Sequence, residues 1–197
     1  MRAASIAAVL SLLAAPAAAQ EAPEAADTSG GEDAPTPGAD EYTQRVQEGI
    51  QRLVSGDASG ARESFEAAEG LDGERPQAVY YLGAAHRLAG ELEPALARFQ
   101  RATELAQAAD EARWQARAMQ GTAETLERME NRIEDARSAW QAYIRFADAH
   151  QTVAHPQLAR ARVQAIDMMN EQERVYVEVR ERIAEREREQ AEEEDED

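Results

Sequence analysis

The sequence predicts an all-α protein of three stacked helical hairpins followed by a C-terminal helix. Three observations predict it. The 197 residues are rich in Ala, Glu, Arg, Gln and Leu and only 5% aromatic, a composition that favours helix over sheet. A five-residue pattern recurs at a spacing of 34: Gly49, Gly56, Ala61, Phe65 and Ala68 return as Gly83, Gly90, Ala95, Phe99 and Ala102. Turn signals, Gly56-Asp57 and Gly90-Glu91, fall between the periodic runs.

Residues 1–19 read as a secretory signal. Arg2 gives the positive start, Ala3 to Ala15 the apolar run, and Pro16 breaks it before the small residues Ala17-Ala18-Ala19. The run is too short for the ~20 residues of a membrane-spanning helix, so the expectation is cleavage and export without membrane insertion. Residues 20–40 hold six acids, three Pro and three Gly without apolar periodicity, and read as a disordered acidic linker. The tail 189–197 holds seven acids and no base and reads as disordered too.

Net charge is −18, and every base is arginine. The two acidic ends hold thirteen of the 39 acids, so residues 41–188, with 26 acids against 20 arginines, come to about −6. Acidity therefore belongs mostly to the ends. A chain of this charge repels nucleic acid and anionic lipid. With no cysteine there is no disulfide scaffold, thiolate metal site or cysteine nucleophile.

The helix pairs read as 41–54 with 58–70, 76–89 with 92–108, and 110–129 with 133–149. A third, degraded copy of the pattern is Asn131, Ala136, Trp140 and Tyr143, which follows an insertion of seven residues. Gly49 and Gly83 let a neighbouring helix approach closely, and Gly56, Gly90 and Asn131 sit where the chain takes a left-handed turn. Ala61, Ala95 and Ala136 are small where the two helices cross. Phe65, Phe99 and Trp140 lie one turn further on the same face and fill the space between them. One hairpin cannot bury such a face alone; stacking the next one does.

These residues, with Leu82-Gly83 and Pro76 near a helix break, resemble the tetratricopeptide repeat (TPR) family over roughly 41–149. The chain departs from the family pattern at Arg52 and His86, where an aromatic is usual, and at Glu124 in place of the first glycine of the third copy. The resemblance implies a short right-handed solenoid whose first helices line a concave groove, and a protein–protein interaction module. Its groove positions map to Val46, Ile50 and Leu53, then Tyr80, Ala84 and Arg87, then Gly121, Thr125 and Arg128. Val46, Ile50 and Leu53 have a second reading, as residues covering the end of the core. The family's grip on a C-terminal carboxylate needs groove lysine, which this chain lacks. Trp114 is either a core plug or an exposed anchor.

Pro156 opens a last helix over 156–188, with Leu158, Val163, Ile166, Met169, Tyr176, Val179 and Ile183 at mixed three- and four-residue steps. Val175, Val177 and Val179 alternate like a strand, but strong helix formers flank them. Glu178–Arg182 and Glu185–Arg188 read as helix-face ion pairs. One reading has 156–170 capping the array and the rest projecting as a charged helix. The other has 171–188 pairing with a second copy as a coiled coil, against which stand Glu173 and Arg180 on the core side of the stripe.

No catalytic constellation is legible. His150 and His155 are five apart, unlike a helical metal pair, and His86 stands alone. No G-x-S-x-G, P-loop or G-x-G-x-x-G string occurs. The expectation is a non-enzymatic scaffold or adaptor of the bacterial envelope, periplasmic or extracellular, with no cofactor or metal. It would bind a protein or peptide in the groove; the alternative is a structural protein that self-associates through its C-terminal helix.

Overall fold

The computed structural model describes the backbone of residues 37–196 and the side chains of 41–191. The expected signal, linker residues 20–36 and Asp197 lie outside the described residues. Seven α-helices follow in order: α1 Pro37–Val54, α2 Ala58–Leu71, α3 Pro76–Leu88, α4 Leu92–Ala108, α5 Ala112–Leu126, α6 Ile133–Ala149 and α7 Pro156–Glu196. No strand occurs among the described residues.

Local chemistry sets the boundaries. The Asp57 carboxylate accepts from the Gly60 amide at 2.9 Å and caps α2. Pro76 opens α3, where its missing amide costs nothing. Gly56 (φ +83°) and Gly90 (φ +79°) turn the chain between helices, as do Asn131 (φ +59°) and Asp110 (φ +56°). α1 starts four residues before the boundary read at 41. α7 continues through Glu196, so residues 189–196, read as a disordered tail, have helical backbone.

Each helix packs on the next, and α1 also touches α3 as α3 touches α5. Helices α1, α3 and α5 therefore form one continuous layer, with α2 and α4 packed against it. Phe65, Phe99 and Trp140 are buried, as are Ala61, Ala95 and Ala136. A Cβ on Gly49 would lie 2.4 Å from the Phe65 ring, and one on Gly83 2.9 Å from the Phe99 ring. Each of these glycines admits the aromatic of the neighbouring helix in its own hairpin. A Cβ on Gly121 of α5 would lie 2.7 Å from the same Phe99 ring. Phe99 thus joins α3, α4 and α5.

The third pair is built differently. Glu124, at the first-glycine position, faces Arg87 of α3 at 2.5 Å. Trp140 donates its indole N–H to Glu127 at 2.7 Å, and Arg162 of α7 closes on the same carboxylate. Hydrogen bonding to Glu127 raises the Arg162 pKa. Tyr42 was not singled out in the sequence, yet it ties α1 to α3: its hydroxyl accepts from the Ala78 amide at 3.1 Å and donates to Gln77 at 3.3 Å.

α7 packs on α6 through Ala159, Val163 and Ile166. Arg137–Asp167 (2.5 Å) and Asn170–Glu134 (2.6 Å) add polar ties. Leu158, read as part of the apolar series, is 54% exposed. From Asp167 to Ala191 every residue is exposed. Glu178–Arg182 forms at 3.5 Å. Glu185–Arg188 does not, because Arg188 donates to the Ala184 carbonyl within its own helix.

Candidate functional site

The layer of α1, α3 and α5 carries the half-buried aromatics. Tyr80 and Tyr81, adjacent on α3, point to different neighbours because successive helical residues diverge by about 100°. Tyr81 stacks on Phe65 with ring centroids 5.2 Å apart. Tyr80 lies against Phe99 at 5.5 Å and Trp114 of α5 at 5.6 Å, and Trp114 also meets Tyr81 edge-on at 5.8 Å. Tyr80, Tyr81 and Trp114 each keep part of their surface in solvent. Trp114 is thus neither a buried plug nor a free anchor; it is the half-exposed end of an aromatic ladder running from the core.

Arginines surround this ladder. The Arg117 guanidinium sits 4.9 Å above the Trp114 ring, and Arg87 lies 5.3 Å from the Phe99 ring. Arg87 is neutralised by Glu124, which also accepts from Gln120 at 2.8 Å. Burial pushes the Tyr80 phenol above its ordinary pKa, opposed by the positive charges of Arg87 and Arg117. Arg113, Arg117 and Glu124 recur at three- to four-residue multiples and share one face of α5, and Arg128 follows in the turn after it. Arg113, Arg117 and Arg128 are exposed and have no carboxylate partner among the described residues. In a chain of net charge −18 this is a basic strip bordered by aromatic surface.

The groove residues read from the sequence separate into three groups. Tyr80, Ala84 and Arg87 lie on α3 at this face and are half-buried. Val46, Ile50 and Leu53 are partly buried on α1, packed over Ala61, Phe65, Leu82 and Ala85, so they cover one end of the core. Thr125 is a correction: its side chain is fully buried and its hydroxyl donates to the Gly121 carbonyl at 2.6 Å, leaving nothing for a partner to touch. Gly121 is likewise buried under Phe99. Sequence reasoning missed Tyr81, Arg113, Arg117 and Gln120. The four-residue step from Arg113 to Arg117 was visible, but only packing shows that this side of α5 meets Tyr80.

The histidines have other work. His86 Nδ1 lies 2.5 Å from Glu91, which also accepts from Arg62 of α2 at 2.8 and 3.0 Å. His150 stacks on Phe146 at 4.1 Å, and His155 is exposed. Among the described residues no group of three His, Asp or Glu is arranged to hold a metal ion, and no helix is long and apolar enough to cross a membrane. Comparison of the chain with protein-family models, with curated proteins and with solved structures finds no match.

Proposed function

We propose that this chain is an exported, non-enzymatic adaptor of the bacterial envelope that holds an acidic peptide segment of a partner protein against α3 and α5. The observation that carries the reading is the half-buried ladder Tyr80–Tyr81–Trp114 with the exposed Arg117 guanidinium, which has no carboxylate partner among the described residues, lying over Trp114. Aromatic and arginine side chains dominate interface energetics, because they desolvate large surfaces and make directed contacts at low entropic cost. The unpaired guanidiniums select for carboxylates, and Trp114 and Tyr80 offer apolar surface to a residue between them. A tetratricopeptide-type arrangement is supported by the 34-residue period and by the equivalent packing of Gly49 on Phe65 and Gly83 on Phe99. Export rests on the sequence pattern of residues 1–19.

The test is affinity capture from the source's envelope fraction. One bait is chain 20–197; the other carries Trp114→Ala with Arg117→Glu and is checked for an unchanged melting point. A protein held by the first and lost by the second, and released as salt rises above ~0.15 M, is the expected result. Identical capture by both baits refutes the site.

A further inference from the structure

The apolar surface left open on α7 has a definite shape. Met169, Tyr176, Val179 and Ile183 are between 39% and 55% exposed, and at 3.6 residues per turn they fall with Gln172 on one stripe, which Val175 flanks. Ala159, Val163 and Ile166, which pack on α6, lie roughly 130° around the helix from it. The body of the protein therefore leaves the stripe open along its length. Met169, Tyr176, Ile183 and Gln190 recur at seven residues, with Gln172, Val179 and Arg186 between them, which is the alternation of a two-helix seam. In this register Glu173 and Arg180 leave the core and flank one edge.

We infer that the stripe pairs with the same stripe of a second copy of this chain, antiparallel and centred between Tyr176 and Val179. Charge decides the direction. In the antiparallel arrangement Glu173 of each copy faces Arg180 of the other, giving two symmetric ion pairs, and Tyr176 packs against Val179. Each acid-rich end then runs beside 158–166 of the other copy, far from the other acidic end. The parallel arrangement gains Arg182–Glu187 pairs but sets Arg186 against Arg186. It also lays seven acids of 189–197 beside the same seven. A second copy also fits better than a foreign basic helix, because the stripe's edges carry both signs and are complementary to themselves after a two-fold rotation. This inference is independent of the proposed peptide site.

The test uses the full chain, which contains no cysteine of its own. Gln172 and Ile183 face each other across the antiparallel seam. A mixture of Gln172→Cys and Ile183→Cys chains should form a mixed disulfide in high yield. Ile183→Cys alone should not link to itself, since its two copies stand about 16 Å apart along the axis. Ready self-linking of Ile183→Cys would overturn the direction, and failure of the mixture to link would overturn the pairing. Sedimentation of the unaltered chain should give the mass of two copies, falling towards one on dilution. Arg180→Glu should weaken this dimer at least tenfold, and adding Glu173→Arg to the same chain should restore it. A single-chain mass at every concentration refutes the inference.

Discussion

Replacing Phe99 by alanine, alone and together with Gly121→Ala, probes the joint between α3, α4 and α5. Phe99 is fully buried between two glycines whose missing methyl groups would stand 2.9 and 2.7 Å from its ring. Buried Phe→Ala changes cost about 3–5 kcal/mol, depending on how far the walls collapse. Here the walls include bare backbone at Gly83 and Gly121, with no side chain to swing into the space, so the expected loss is about 4–5 kcal/mol. Gly121→Ala alone gains about 0.8–1.0 kcal/mol of helix propensity. Against that, overpacking costs about 1–3 kcal/mol, because the fully buried ring already stands close to Gly83 as well. The two changes relieve each other: once the ring is gone, a methyl at 121 enters the void. The double variant should be more stable than the sum of the singles predicts by at least about 1 kcal/mol. Urea unfolding of the four proteins, followed by helical circular dichroism, measures all the terms. Additivity within about 0.5 kcal/mol would refute the placement of Phe99 between the two glycines.

Other consequences are direct. Arg162→Ala leaves Glu127, whose side chain is only 11% exposed, with the Trp140 indole as its remaining partner. It should cost about 1–3 kcal/mol in urea unfolding, and an unaffected variant would place the carboxylate in water. Gly56→Ala and Gly90→Ala force a side chain into left-handed backbone with open space around it. Each should cost about 1–2 kcal/mol through conformation alone, whereas Gly70→Ala, in a helix with nothing near its Cβ, should stabilise. The hydrogen bond from His86, then that from Arg62, holds the Glu91 carboxyl below the ordinary glutamate range. Its contribution is full above that range and is lost as pH falls below it through the lowered value of the folded carboxyl, so Glu91→Gln should flatten the acid limb of the Tm–pH curve. An unchanged limb would show the contact to be idle.

The helices and their punctuation were legible because they depend on local chemistry. Gly56, Gly90 and Asn131 mark positive φ wherever the fold puts them, and Pro76 and Pro156 can only open helices. Burial of Phe65, Phe99 and Trp140 followed from period and residue size. The candidate site was legible in half: Tyr80, Ala84 and Arg87 share a helix face by spacing, but spacing cannot tell which neighbouring helix that face meets. Thr125 shows the limit. Its position on α5 fitted the groove pattern, yet α5 is rotated so that Gly121 and Thr125 enter the core while Arg117 and Glu124 face Tyr80 and Arg87.

What the sequence by itself determined was the helical content, the order of the hairpins, the residues between them and the concentration of acid at the ends. Each of these is a sum over neighbours within one or two turns, so one dimension suffices. Only the tertiary structure decided that Glu124 neutralises Arg87 while Arg117 stays unpaired over Trp114, that Glu127 is shared by Trp140 and Arg162, and that α7 leaves α6 with its apolar stripe uncovered. Those outcomes rest on how helices roll about their axes when packed. A roll of one residue's width exchanges which side chain is buried and which is free to bind.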